Sequence, residues 1–165
     1  MEATLDYLTY DKESGKFFWK AIPGNFRKAK VGDQAGCLHH SGYRFVKVLG
    51  VTYSEHRLAW FHHYGVVPQT DLDHKNGLRD DNRIGNLRPC NDSLNAGNKK
   101  SQNLTSSFKG VSWRKREQKW TAQIADPKQR TLYWGDSEVD AAKAYNKAAK
   151  DYFGEYARLN EVAGG

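Results

Sequence analysis

Cysteine is scarce in this chain. Cys37 and Cys90 stand far apart and form no CxxC pair, which excludes a disulfide framework and argues against the usual structural zinc site. Two lone thiols suit a reducing compartment. No apolar run approaches membrane-spanning length. The opening segment MEATLDYLTYDKESG has no basic-then-apolar signal pattern, so a cytoplasmic location without membrane association is expected. Apolar residues are also few, at 38% with a mean hydropathy of -0.84, and any core must be modest.

Aromatics and positive charge are plentiful. Five Trp, nine Tyr and seven Phe in 165 residues argue against disorder, because disordered chains are poor in aromatics. The length allows one domain or two small ones. A net charge of +7 and a pI near 9.4 favour a polyanionic partner, nucleic acid first.

Short strands and one helix are expected in the first half. Phe17-Phe18-Trp19 follows the turn Glu13-Ser14-Gly15, and YRFVKVL (43–49) alternates with period two. Residues 54–64 read as a helix, with Ser54 a possible N-cap and Gly65 a stop. KKSQNLTSS then has a linker composition. Beyond it, 108–132 reads as antiparallel hairpins with a turn at Pro127. A helix is expected from Val139 to Phe153, capped by Ser137, ended by Gly154 and carrying the stripe Ala141, Ala144, Tyr145, Ala148, Tyr152. The spacing therefore predicts an α+β chain of two domains, 1–98 and 106–161, joined by a linker over 99–105.

Charge is uneven within the second domain. Lys109 to Arg130 holds seven basic and two acidic residues, whereas Thr131 to Gly165 holds four basic and six acidic. A solvated sheet face explains this. Interleaving of Trp113, Trp120, Tyr133 and Trp134 with Arg114, Lys115 and Arg116 favours a nucleic-acid surface.

Chemistry concentrates in DLDHKNGLRDDNRIGNLRPCNDSLNAGN (71–98), with one histidine and six asparagines. Asp73-His74 would end a short strand, Lys75-Asn76-Gly77 would turn, and 91–98 would start a helix. Asp73, His74 and Asn95 could then converge. One carboxylate and one amide oxygen suit a hard cation such as Mg²⁺ (or Mn²⁺) that keeps waters and substrate phosphates. His74 has the pKa range of a general base, and Asn86 could orient its ring. The bland alternative stays open: Asp-His pairs often serve structure, and asparagines gather in turns.

The spacing His74, Asn86, Asn95, with the words EHRLAWFHHYG, DLDHKNG, DDNRIGNLRP and SLNAGN, resembles the HNH homing endonucleases of phages and mobile introns. That resemblance covers about half the chain. It implies a fold of two strands and a helix around one metal, with Asp73 and Asn95 as ligands, His74 as base and Asn86 orienting it. Arg83 and Asn98 would lie near the same phosphate. The products would be a 5′-phosphate and a 3′-hydroxyl, and a phage-encoded protein would work in the host cytoplasm.

FKGVSWRKREQKWTAQIAD and LYWGDSEVDAAKAYNKAAKDYFGEYARLN resemble the Apetala-type (ethylene-response-factor) DNA-binding domain. That family lays a three-stranded sheet, backed by one helix, in the major groove. By position the resemblance puts Lys109, Ser112, Arg114, Trp120, Gln123, Thr131 and Tyr133 toward DNA, with Trp113, Lys115 and Arg116 beside them. Ser112, Ala125 and Thr131 stand where the family often reads bases with arginine, so the plant target is not implied.

The expected function is a DNA endonuclease acting on duplex DNA without a small-molecule cofactor; the alternative is a non-catalytic, sequence-specific DNA-binding regulator. His56 is expected to pack its helix, with His62 and His63 exposed. Arg27, Lys28, Lys30, Arg44 and Lys47 either track phosphates or form a solvated strand face.

Overall fold

The computed structural model describes residues 1–24, 29–98, 105–126 and 128–162. Residues 99–104 of the expected linker, Arg27, Lys28 and the Pro127 turn lie outside the described residues. Helices and strands are mixed, as an α+β chain requires. Contacts divide the chain into two compact units, Met1–Asn91 and Asp92–Gly165. No described helix is long and apolar enough to cross a membrane.

The first unit starts with one helical turn, α1 (Thr4–Tyr7), and a hairpin of β1 (Leu8–Asp11) and β2 (Lys16–Trp19). A second antiparallel sheet has the order β3 (Cys37–Leu38), β4 (Arg44–Val48), β5 (Val51–Ser54). Helix α2 (Glu55–Tyr64) follows and ends where Gly65 turns left-handed at φ 73°. Ser54 occupies the N-cap position without a side-chain capping bond. Leu8, Phe17, Trp19, Val46, Val48, Leu58 and Leu87 form the core, which ties both sheets to the apolar stripe of α2. The last pair, β6 (Asp71–His74) and β7 (Leu87–Cys90), is antiparallel.

The second unit opens with α3 (Asp92–Asn98), which the sequence reading assigned to the first domain. Its attachment is physical. The Arg158 N–H donates to the Gly97 carbonyl at 3.0 Å, and the Lys109 ammonium donates to the same oxygen. A Cβ on Gly97 would stand 2.6 Å from the Phe153 ring, so only glycine permits this approach.

Strands β8 (Val111–Arg114), β9 (Lys119–Asp126) and β10 (Lys128–Gly135) form a sheet in the order β10-β9-β8, with α4 (Glu138–Phe153) on one face. Ser137 caps α4 by accepting the Asp140 N–H at 3.1 Å. The buried stripe of α4 is Ala141, Ala142, Tyr145, Ala149 and Phe153. Ala144, Ala148 and Tyr152, expected there, are only half-buried. The helix meets the sheet along the row 141-145-149-153, spaced by four residues, and small side chains on that row let it lie close.

Candidate active site

Strand β6 carries the chemistry inward. Leu72, Asp73 and His74 are all buried, although strict alternation would turn Asp73 out. Across the pair, Asp73 faces Arg88 and His74 faces Leu87. The Arg88 guanidinium donates to Asp73 Oδ2 through Nε at 3.0 Å and Nη2 at 2.8 Å. Both side chains are buried, so this contact is a desolvated ion pair rather than a screened surface one.

His74 Nε2 lies 3.1 Å from Asn82 Oδ1. Burial pushes the imidazole pKa down, against the Asn82 bond and the charges of Asp73, Asp81 and Asp80. The result is a ring held neutral, as a proton acceptor must be. Tyr43 packs against it at 5.9 Å between centroids, and His56 meets it edge-on at 5.5 Å. Burial first, then the nearby His74 and Arg57, brings His56 down to about 4. His56 therefore packs α2 as expected, but it does so against the candidate base. His62 is not exposed: its ring is half-buried, meets Thr4 Oγ1 at 3.0 Å and lies edge-on to Phe17. His63 is exposed.

The loop from Lys75 to Asn86 is held by amides. Asn86 Nδ2 donates to the Asp81 carbonyl at 2.8 Å and to Asn76 Oδ1 at 3.1 Å, while Asn86 Oδ1 accepts the Asn76 N–H. The side chain expected to orient His74 thus shapes the loop instead, and Asn82 makes the contact to the imidazole. Arg83 is exposed but forms a two-pronged pair with Asp81, at 2.8 and 2.6 Å. That pair lowers the Asp81 pKa.

Asn95 is half-buried and Asn98 buried, both on α3 in the second unit. No three His, Cys, Asp or Glu side chains gather into a metal site among the described residues. Taken alone, the Asp73 carboxylate is the oxygen donor type that a hard cation prefers.

In the second unit the strand register sorts the expected DNA contacts. Ser112, Arg114, Gln123 and Thr131 share the face opposite α4, where Arg114 Nη2 donates to Gln123 Oε1 and Gln123 Nε2 to Thr131 Oγ1, both at 3.3 Å. Lys115 and Arg116 are exposed in the β8–β9 turn. Trp120 and Tyr133 fall on the other side and pack against the apolar cluster under α4. The Trp113 ring joins Trp120 at 5.1 Å, and Lys109 is tied to Gly97. Aromatic residues in short strands look alike in sequence whichever face they serve. Trp134, the remaining interleaved aromatic, pairs in register with Thr121 on the face opposite α4 and is 53% exposed.

Residues 53–96 match a family model described as HNH endonuclease. No solved structure matches the chain. The HNH segment contains Asp73, His74, Asn86 and Asn95, and also Glu55, Asn82 and Arg88, which sequence reasoning passed over. For Arg88 a signal existed, since opposite charges at paired positions of a short hairpin attract. Asn82 was one amide among six, with nothing local to single it out. Support for the HNH segment also comes from outside it. The Tyr10 hydroxyl donates to the Asn82 carbonyl at 2.7 Å, and Arg44 pairs with Glu55 at 3.0 Å. Arg44 is thereby engaged inside the unit rather than offered to phosphates.

Proposed function

We propose that the chain is a metal-dependent DNA endonuclease of the homing type, with His74 as general base and the sheet of the second unit as the DNA-positioning element. The observation that carries this reading is the buried, neutral imidazole of His74 beside the Asp73 carboxylate, within a segment matched to HNH endonucleases. His74 takes the proton of a water aligned on the scissile phosphorus, and burial keeps it free to do so near neutral pH. Asp73 and Asn95 would hold a divalent ion, Mg²⁺ or Mn²⁺. When bound, such an ion offsets charge on the phosphate and the leaving oxygen. Arg88 fixes the rotamer of Asp73, and Asn86 fixes the loop that carries Asn82.

The division of labour is residues 1–98 for cutting, 99–105 for linkage and 106–161 for duplex DNA binding of the Apetala type. Arg114, Gln123 and Thr131 would face bases, while Lys115 and Arg116 meet phosphates. The basic run from Lys109 to Arg130 supports this role.

A plasmid-nicking assay tests the proposal. Nicking should require Mg²⁺ or Mn²⁺, stop with chelator and fall about 10²-fold or more in His74→Ala, the scale of general-base catalysis. A folded His74→Ala protein that nicks at the wild-type rate ends it. The regulator reading has one observation in its favour, because Arg88 already gives Asp73 a cation. Under that reading the wild type binds duplex DNA and leaves it uncut with every divalent ion.

A further inference from the structure

Two arginines near the candidate base are committed to carboxylates, Arg88 to Asp73 and Arg83 to Asp81. Arg79 belongs to the same loop as Arg83 and is exposed. Among the described residues its guanidinium pairs with no carboxylate. It is nonetheless held in place. Nη1 donates to the Ser41 carbonyl at 2.8 Å, and the guanidinium carbon stands 5.0 Å from the centre of the Tyr43 ring. The stem passes Gly42, where a Cβ would lie 3.6 Å from Arg79 Cδ. The mount itself is closed, because the His39 N–H donates to the Tyr43 carbonyl and the Gly42 N–H to the His39 carbonyl, both at 2.8 Å.

The same Tyr43 ring packs against His74, at 5.9 Å between centroids. The candidate base and the Arg79 guanidinium are therefore neighbours of one aromatic side chain. A guanidinium carries five N–H donors in a fork that matches phosphate oxygens, and it stacks on aromatic faces without losing that fork. Only one donor is spent on Ser41. A neutral amide would suffice to tie two loops together. A full charge without a counter-charge, on a mount that has already removed its rotamer freedom, is suited to an incoming anion.

We propose that Arg79 is a phosphate anchor, whose guanidinium takes a DNA backbone phosphate close to the one that His74 faces. The identity of the polyanion rests on the nuclease reading above. Tyr43 is a positioning residue that sets the imidazole and the anchor together. Nucleotides rise about 3.4 Å along one strand, so a base and an anchor that share one ring engage phosphates within a few nucleotides of each other. Arg83, which the resemblance places near the phosphate, has its fork already filled by Asp81.

The test uses the full chain and duplexes in which single phosphates around the mapped nick are neutralised as methylphosphonates. In the wild type one such substitution should slow nicking about 10-fold or more. Arg79→Ala should nick the unmodified duplex about 10-fold more slowly and lose nothing further at that phosphate, as removal of both partners of one contact requires. Arg79→Lys, which keeps the charge without the fork, should fall between. Duplex binding without divalent ions gives a second readout. The slope of log K against log salt should shrink by about 0.9 in Arg79→Ala, a change that loss of a loop tie alone does not produce. An unchanged slope overturns the proposal, and so does an Arg79→Ala protein as sensitive as the wild type at every modified phosphate. Should Arg79→Ala fail to fold, Arg79→Gln keeps an amide donor without the charge and decides by the same readouts. A wild type that binds duplex DNA without nicking, while Arg79→Ala still loses slope, ends the nuclease reading and leaves the anchor.

Discussion

Asp73 stands directly opposite Arg88 across the β6–β7 pair, and their side chains close a buried ion pair at 2.8 Å. The partner of the candidate metal ligand is therefore supplied by the strand that hydrogen-bonds to it. Breaking a buried pair leaves one charge stranded, which costs about 3–5 kcal/mol. Arg88→Met should lower stability by that order in chemical denaturation. Wild-type stability in that variant would show that the carboxylate is solvated.

Gly36 sits at φ 76°, and a Cβ there would stand 2.0 Å from Glu55 Oε1 and 2.7 Å from the Phe45 carbonyl. Gly36→Ala combines a strained backbone with displacement of the Glu55 carboxylate, at a cost above about 1 kcal/mol. The melting temperature should drop by several degrees, and nicking should fall with it when measured well below the melting point.

Acid should loosen the first unit in a defined window. Burial brings His62 down to about 4 from its ordinary 6.5. Between those values the unfolded chain takes up a proton that the folded chain refuses. The stabilising contribution is thus complete above pH 6.5 and is lost as pH falls toward about 4. His62→Gln should flatten this part of the stability-pH curve. An unchanged slope would mean that the ring charges without unfolding its surroundings.

The two faces of the β8–β10 sheet should respond differently to truncation. Arg114→Ala and Gln123→Ala should weaken duplex DNA binding by about 1–3 kcal/mol and leave melting unchanged. Trp120→Ala, on the α4 side, should cost about 2 kcal/mol or more of stability through the cavity it opens. Gel-shift titrations and thermal melts separate these outcomes. Equal binding losses from both faces would contradict the register assignment.

Much of the architecture was legible from local rules. Gly65 and Gly154 stop α2 and α4 where the pattern predicted, and Ser137 caps α4 through Asp140. The alternation of YRFVKVL gave β4, and Lys75-Asn76-Gly77 gave the turn after β6. Each depends on neighbours within a few residues. Helix faces were less secure: Ala144 and Ala148 have the right size for the α4 stripe, yet the sheet selects the row four residues apart that starts at Ala141.

The amino-acid order by itself determined the Asp73-His74 pair, the basic character of the strands after residue 108 and the helical and extended segments, because these follow from residue type and short-range spacing. Only the tertiary structure decided that Asn82 rather than Asn86 meets the imidazole, that Arg44 pairs with the buried Glu55, and that Trp120 and Tyr133 serve a core. Those choices depend on which of several chemically equal side chains is carried inward by strand pairing and burial, and no window of neighbouring residues encodes that.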